Sequence, residues 1–406
     1  MFDYNHYNIL TKNERSARVK KRMSITAGLL LFISMSITSF ANEKLDDFSS
    51  DTTLTQIESE NYAEELVSEN DDLLQETIAN LKKGYSEYYD ILNTETTLCS
   101  SHEINGNMEN LYLLEMDVIL KANSVEEMDY YQGVTDYYET ELANFGQLRN
   151  VDSIQHMNAL YSERSTIYDD LSEYIGKEQK ISFYVRETYS LENETEKTVL
   201  FENGMEYVSW EAMLPASHED IQENGYASMA YMDTEYNIIA EKATVQQLKA
   251  SYSYSVSDAV SYMIRYTSNP TTCNACGLSS CKSKADTTKY NSNYANYAYN
   301  HSDCANYVSQ ALCEGGIPTD STWKAGSGAW IGVSNLTLYM TSNGYWTSVT
   351  YNVLQKGDIV KFSNISHVVM ITSFDGVSYG YSGHTSDRRN CVMTFSNSTG
   401  KYYRVG

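Results

Sequence analysis

The sequence predicts an α+β protein. Apolar residues recur at a spacing of about 3.6 through much of residues 42–180, which is typical of helices. From Lys180 to Met213 apolar and polar residues alternate instead, which is typical of strands. A short helix and several strands are then predicted in residues 286–406. The 406 residues are enough for two or three domains, each with its own core.

The chain is acidic, with a formal net charge of −25. This charge excludes a general nucleic-acid-binding protein, because recognition of phosphates needs a basic face. The acidity is concentrated in residues 42–270, which hold 13 Lys/Arg against 45 Asp/Glu. Residues 285–406 hold 8 Lys/Arg against 7 Asp/Glu and are nearly neutral. The change in charge predicts a domain boundary near residue 270.

The N-terminus has the pattern of an export signal. Basic residues precede an apolar stretch from Ile25 to Ile37, and Ser39-Phe40-Ala41 places small residues around a cleavage site. The sequence predicts a signal peptide over residues 1–41, and a secreted or cell-surface protein that meets the membrane only through this segment during export. An uncleaved anchor helix is the alternative, and it is disfavoured because the run is shorter than the ~18 residues of a membrane span.

Residues 42–250 are predicted to form an acidic α+β domain of unknown function. Helical spacing covers residues 63–81, 111–119 and 154–175, and a hairpin turn is expected at Asn203-Gly204 between the strands that follow. A helix-bundle linker or stalk is the competing interpretation. Nothing in this region has the spacing of a catalytic motif.

Residues 251–285 are rich in Ser, Thr and Asn and are predicted to be a linker with a cysteine cluster, formed by Cys273, Cys276 and Cys281. A disulfide-pinned loop is favoured in an exported protein, and seven cysteines leave at least one unpaired. Zinc binding would need a fourth ligand, for which His301 is the candidate. A thioredoxin-like redox pair is disfavoured because no βαβ pattern surrounds the cluster. The sequence therefore predicts no metal and no cofactor.

The candidate nucleophile, Cys304, lies in a short predicted helix whose start and end both have sequence signals. Ser302 or Asp303 is expected to cap its start, and Gly315-Gly316 marks its end. Cys304 falls in the first turn, where unpaired N–H groups and the helix dipole favour a thiolate. The alternatives are a buried structural cysteine or half of a disulfide, and the position in the first turn argues against burial.

Two histidines on adjacent predicted strands are candidate partners of this cysteine. A two-residue turn at Asp375-Gly376 pairs the flanking strands so that His367 lies directly opposite His384. A one-residue slip of the register would place Gly383 opposite His367 instead.

The roles follow from the chemistry of cysteine nucleophiles. Cys304 needs a base, for which His367 is the candidate, and a polar residue that orients the base, for which His384 is the candidate. Asp387 and Asn390, just beyond the strand, are alternatives for the orienting role.

Six segments of the C-terminal region resemble a known family. They are residues 302–312 (SDCANYVSQAL), 315–318 (GGIP), 330–336 (WIGVSNL), 357–360 (GDIV), 366–369 (SHVV) and 383–388 (GHTSDR). In order and spacing they resemble the putative amidase domain of Gram-positive bacteria, a branch of the papain-like clan. The layout is similar to that of NlpC-type and CHAP peptidoglycan amidohydrolases.

The resemblance covers residues 286–406. It implies a papain-like or NlpC-like domain in which the helix with the cysteine packs on an antiparallel sheet. It also implies that Cys304 is the nucleophile, His367 the base and His384 the third polar residue. Residues 290–298 keep the spacing of Tyr and Ala that the family shows, but they lack an Arg and a Trp that relatives often have. The contacts with substrate that the family makes before the nucleophile are therefore not expected in full.

The predicted function is that of an exported cysteine amidase or endopeptidase, which cleaves amide bonds in peptidoglycan peptides through a Cys-His-His site and a thioester. A protein-directed cysteine peptidase or transpeptidase is the first alternative, because an amine can resolve the same thioester. A non-catalytic cell-surface binding protein is the second, and the complete set of three residues argues against it. No wall-binding repeat or sorting motif is visible in the sequence.

Overall fold

The computed structural model describes residues 73–145, 151–192, 196–243, 252–278 and 281–406. The predicted signal peptide and the first part of the helical pattern at 63–81 lie outside the described residues. Among the described helices, none combines the length and the apolar character that crossing a bilayer requires.

The first half of the described chain is a mixed α and β region, as predicted. Its helices are α1 (residues 73–85), α2 (Asp129–Phe145), α3 (Val151–Ser172) and α4 (His218–Ala243). Its strands are β1 (Tyr89–Ile104), β2 (Asn107–Leu120), β3 (Glu178–Ser190), β4 (Lys197–Asn203) and β5 (Glu206–Val208).

The helical prediction for residues 42–180 is wrong in two places, because residues Tyr89–Ile104 form strand β1 and the predicted helix over 111–119 lies in strand β2. Leu114, Met116 and Val118 are buried on one face, whereas Leu111 and Leu113 point to the other. Both faces of the strand are covered, so its apolar residues run almost continuously. Such a run also satisfies a 3.6-residue spacing, and periodicity alone does not separate the two structures.

The second half has the short helices and strands that the sequence predicts. The helices are α5 (Val256–Arg265), α6 (Cys304–Glu314), α7 (Gly328–Ile331) and α8 (Val333–Ser342). The strands are β6 (Trp346–Val349), β7 (Ile359–Phe362), β8 (Val368–Phe374), β9 (Tyr379–Gly383), β10 (Arg388–Met393) and β11 (Gly400–Val405). Helix α5 lies inside the segment predicted as a linker, and its Ala259, Tyr262 and Met263 are buried.

The described strands form one sheet of eleven, ordered β1-β2-β3-β10-β9-β8-β7-β11-β6, with β4 and β5 paired beyond β3. Neighbouring strands are antiparallel except for β3 and β10, which run parallel and join the acidic region to the C-terminal region. The proposed division of the chain into domains stays a prediction.

Helices α5 and α6 cover one face of the C-terminal strands. Val308 of α6 packs there with Val368 and Met370 of β8, in what we call the helix-side core. The opposite face of the same strands includes Val369 and Phe362, in what we call the hairpin-side core. This assignment of faces decides which of the predicted site residues can meet.

A buried ion pair connects strand β4 of the acidic region to strand β10. Arg388 donates two hydrogen bonds of 2.7 Å to the carboxylate of Glu202 on β4, and its guanidinium lies 3.5 Å from the ring centroid of Tyr184. A guanidinium left unpaired at such a depth is costly, because neither solvent nor another anion replaces the carboxylate.

We therefore expect Glu202→Ala to lower the free energy of unfolding by about 3–5 kcal/mol. Urea denaturation followed by circular dichroism measures this loss. Glu206→Ala is the matched control, because Glu206 lies on the same hairpin and accepts an exposed hydrogen bond of 2.6 Å from Asn364. The control should change stability by less than about 0.5 kcal/mol. An equal loss of unfolding free energy in the two variants would show that the buried ion pair stabilises the protein no more than the exposed contact does.

Candidate active site

Helix α6 begins at Cys304, as the sequence predicts, but its start is not capped by a side chain. Asp303 occupies the N-cap position and makes no capping hydrogen bond. Its Oδ1 instead accepts hydrogen bonds from the backbone N–H of Tyr297 (2.8 Å) and from Asn306 Nδ2 (3.0 Å). These bonds leave Oδ2 free to face His384. The expected cap is therefore wrong, and the carboxylate belongs to the candidate site.

Cys304 is buried, with 5% of its surface exposed, against the expectation that the first turn would leave it accessible. Burial raises the pKa of its thiol, and the polar groups of the Val368 backbone and the nearby Thr385 side chain oppose that shift. Burial thus favours the protonated thiol over the thiolate. Strand β8 and the turn after β9 both reach the sulfur.

His384 is held beside the start of α6 by four contacts. Its Nδ1 lies 2.7 Å from Asp303 Oδ2, and its Nε2 lies 2.9 Å from the carbonyl oxygen of Tyr266. Its ring is stacked between those of Tyr290 and Tyr307, with centroids 3.7 and 3.5 Å away. A carboxylate and a carbonyl only accept hydrogen bonds, so both contacts are hydrogen bonds at once only when both ring nitrogens are protonated.

His367 does not lie beside His384. Its ring packs against Phe362, with centroids 5.4 Å apart, on the face of the hairpin-side core. A Cβ added to Gly383 would point to this same face, at Val369 and 4.0 Å from His367 Nε2. The next residue, His384, contacts α6 on the other face. The structure therefore brings His384 to the helix of Cys304 and leaves His367 across the sheet.

The register explains why the predicted pairing of the two histidines is wrong. Gly376 and Val377 form the two-residue loop, so that Phe374 pairs with Tyr379 rather than with Val377. An irregularity between Ile371 and Ser373 then shifts the pairing by one residue. A one-residue shift moves every later side chain to the opposite face.

Beyond this shift, Met370 pairs with Ser382. Continuing the register places His384 opposite Val368, and Thr385 opposite His367. The observed pairing therefore differs from the predicted pairing by one residue. The difference is in the opposite direction to the shift that would place Gly383 opposite His367.

Burial and the positive charge of Arg388 lower the pKa of His367 to about 4. The ring is therefore neutral at neutral pH in the folded chain, whereas an unfolded histidine takes up a proton near pH 6.5. Because the unfolded state binds more protons between these values, stability is fully present above about pH 6.5 and falls as the pH decreases toward 4.

We expect wild type to lose about 3 kcal/mol more than His367→Gln between pH 7 and pH 4, since the variant lacks this titration. Urea denaturation of both proteins over this range measures the difference, and subtracting the curves removes the contribution of other titrating groups. Parallel curves for the two proteins would contradict the burial of a neutral His367.

The two alternative orienting residues lie at different distances from the site. Asp387 accepts hydrogen bonds from Tyr290 Oη (2.6 Å) and from the backbone N–H of Asp286 (2.8 Å), so it positions the tyrosine that stacks on His384. Asn390 instead accepts a hydrogen bond from Thr372 Oγ1 (2.6 Å) on β8. Asp387 therefore bonds to a tyrosine that stacks on His384 and also lies close enough to interact electrostatically with that ring, whereas Asn390 supports the sheet.

Thr385, next to His384, has φ of +96°. A β-branched residue in this region is an outlier, because its side chain crowds the backbone. Its hydroxyl is buried without a hydrogen-bond partner of its own, although it lies close enough to Cys304 to affect the thiol. Backbone strain of this kind concentrates at functional sites, where the surrounding structure holds it in place.

Sequence reasoning missed four residues that hold His384, namely Asp303 as its partner and Tyr266, Tyr290 and Tyr307 around its ring. Asp303 was singled out only as a cap. A signal existed in the tyrosine-rich tract before the helix, but tyrosine alone does not indicate what it packs against. The contacts come from three separate segments, which only the tertiary structure brings together.

The cysteine cluster is close to this site. All seven cysteines lie in the described residues and each is a free thiol, where a disulfide-pinned loop was expected. The ligand atoms of Cys273, Cys276, Cys281 and His301 all lie within 4.8 Å of one another. The candidate fourth ligand, His301, is thus where a metal site would require it.

Residues 253–405 match the family described as "Putative amidase domain". The match supports an amidase-like family for this part of the chain, and with it an enzyme that hydrolyses amide bonds. A search of curated proteins and a search of solved structures each gave no match. Cys304, His367 and His384 all lie within the matched residues.

Proposed function

We propose that this protein is an exported cysteine amidase that cleaves amide bonds in cell-wall peptides, with Cys304 as its nucleophile. The observation that carries the proposal is the buried hydrogen bond between Asp303 and His384, which ties a histidine to the residue preceding the cysteine. The amidase match over residues 253–405 supports the reaction class. The resemblance to NlpC-type and CHAP enzymes supports the choice of substrate.

The roles of the histidines differ from those first predicted. His384, not His367, acts at the thiol in this proposal, because its partner Asp303 and its neighbour Thr385 both lie beside Cys304. The Asp303 carboxylate holds Nδ1–H and stabilises a positive charge on the ring, as an orienting carboxylate does in cysteine and serine hydrolases. His367 supports the sheet from the hairpin-side core.

The reaction proceeds through a thioester. Neutral His384 takes the proton of the Cys304 thiol at Nε2 as the sulfur attacks the amide carbonyl carbon. The imidazolium then delivers that proton to the departing nitrogen as the C–N bond breaks, which leaves the thioester. Water, deprotonated by the neutral imidazole, then attacks the thioester, releasing the acid and restoring the thiol. The backbone N–H of Cys304, at the helix start, is the proposed donor to the oxyanion.

Two features of the closed arrangement must change before substrate reacts. Cys304 is covered, and the Nε2 hydrogen of His384 is held by the Tyr266 carbonyl. We infer that substrate binding exposes the thiol and breaks the contact between His384 Nε2 and Tyr266. The ring then loses its Nε2 proton to solvent and meets the thiol as a neutral base. The strained backbone at Thr385 marks the segment in which such a movement would take place.

The test is digestion of purified peptidoglycan, with soluble products identified by liquid chromatography and mass spectrometry. The proposal expects fragments from amide cleavage, in which each cut gives one new carboxylate on one product and one new amine on the other, and these fragments are absent when Cys304→Ser is used. Cleavage of casein but not of peptidoglycan would favour a protein-directed peptidase. Binding to peptidoglycan without release of any fragment would favour the non-catalytic binding protein and overturn the proposal.

A further inference from the structure

Four side chains meet just before helix α6 in an arrangement suited to a metal ion. Cys273 Sγ lies 3.9 Å from Cys276 Sγ, and Cys281 Sγ lies 3.2 Å from His301 Nε2. With Zn–S near 2.3 Å and Zn–N near 2.0–2.1 Å, the corners of a tetrahedral site are ~3.8 Å apart for two sulfurs and ~3.6 Å for sulfur and nitrogen. The observed separations are close to these values.

We propose that Cys273, Cys276, Cys281 and His301 bind one structural zinc ion. Three thiolates and one imidazole are a common donor set for closed tetrahedral zinc sites, and the spacing of the first two cysteines is that of such sites. The set fills all four positions, so no position is left for a water molecule that could act as a nucleophile. The ion is therefore structural, and the chemistry stays with Cys304.

The histidine is held in the form that a metal requires. His301 Nδ1 lies 3.1 Å from the carbonyl oxygen of Thr385, which only accepts hydrogen bonds. Nδ1 therefore has the proton, and the lone pair of Nε2 faces the thiol of Cys281. Histidines that bind metals usually donate the other ring N–H in this way, which fixes both the tautomer and the ring orientation.

The charge of the site is also balanced. Each thiol that binds loses its proton, so three thiolates and a neutral imidazole around Zn²⁺ have a net charge of −1. Lys284 is 97% buried next to the cluster and donates a hydrogen bond of 3.1 Å from Nζ to the carbonyl oxygen of Cys281. A buried ammonium beside an anionic metal centre offsets its charge.

The zinc would join three segments of the candidate active site. His301 lies three residues before Cys304, has a left-handed backbone with φ of +48°, and bonds to the residue after His384. The cysteine loop would thus be fixed to the start of α6 and to the turn that contains His384. This places the ion in a positioning role for both residues.

The experiment measures zinc in the full-length protein, purified without chelator from zinc-supplemented cells. We expect about one zinc per chain in wild type, and a value near zero in Cys281→Ser and His301→Ala. Cys99→Ser is the matched control, because Cys99 is a partly exposed free thiol outside the cluster, and it should keep its zinc. His301→Cys keeps four zinc ligands and should also retain the ion if His301 is a ligand.

Cobalt gives a readout that does not depend on activity. Protein exchanged with Co²⁺ should show thiolate-to-cobalt charge transfer and the absorption of a tetrahedral ion, and both should be absent in Cys281→Ser. A zinc content near zero in wild type, together with a Cys273–Cys276 disulfide in the unreduced protein, would overturn the proposal. Equal zinc in wild type and Cys281→Ser would do the same.

Discussion

Cys304→Ala is expected to lower kcat/KM for amide hydrolysis by at least ~10⁴-fold while leaving the fold intact. The nucleophile is lost entirely, because alanine cannot form the thioester, and only the contribution of binding and of the oxyanion donors is left. The fold should tolerate the change, since alanine fits the helix and the buried thiol contributes little volume. Rates are measured on peptidoglycan fragments, and folding by circular dichroism and thermal unfolding.

Cys313→Ala is the matched control for this experiment. Cys313 lies near the end of the same helix and its thiol is partly buried, so both variants remove a sulfur from α6. The control should retain activity within a few-fold of wild type. A Cys304→Ala enzyme as active as the Cys313→Ala control would rule out a cysteine mechanism at this residue, although amide hydrolysis by another route would then need a new nucleophile.

The sequence was informative where local chemistry decides the structure. Gly315-Gly316 and the apolar stripe around Val308 predict α6, and the alternating residues of β3 predict a strand, because caps and periodicity act over a few neighbours. The α+β class and the position of Cys304 at the start of a helix followed from these signals. The resemblance added the reaction class, which the amidase match over residues 253–405 supports.

The sequence was misleading where a distant segment decides the structure. Strand β2 is buried on both faces. The helices of the acidic region cover one face, and on the other Leu111 and Leu113 lie in a core shared with Tyr184 of β3, which no local pattern shows. The burial of Cys304 likewise depends on β8 and on the turn at Thr385. In both cases, the error comes from assuming that one side of an element faces solvent.

The placement of His367 shows that a one-residue irregularity in a strand decides which side chains form the site. A single irregularity near Thr372 in β8 moves His384 to the helix side and leaves His367 on the hairpin side. Thr372 donates a hydrogen bond of 2.6 Å to Asn390, which has a positive φ of 50°. Bulges of this kind commonly re-aim side chains next to active sites, and they are not visible in the apolar pattern.

The two histidines should therefore differ in their effect on catalysis. We expect His384→Ala to lower kcat/KM by ~10²–10⁴-fold, because the reaction loses its acid and base. His367→Gln should lower it by less than ~10-fold, because that ring lies across the sheet from Cys304. The roles predicted from the sequence, with His367 as the base and His384 as the orienting residue, would instead give the larger loss at His367. Both rates are measured at pH 7, and each is divided by the fraction of the variant that is folded.

Asp303→Asn separates a chemical role of His384 from a merely structural one. An asparagine of similar size can still lie beside Nδ1, but it no longer stabilises the charged ring, so kcat should fall while KM stays nearly constant. If His367→Gln were inactive and both His384→Ala and Asp303→Asn were active, His367 would be the base. The strands around Thr372 would then have to re-pair in the working enzyme, since only a one-residue shift brings His367 to the face of Cys304.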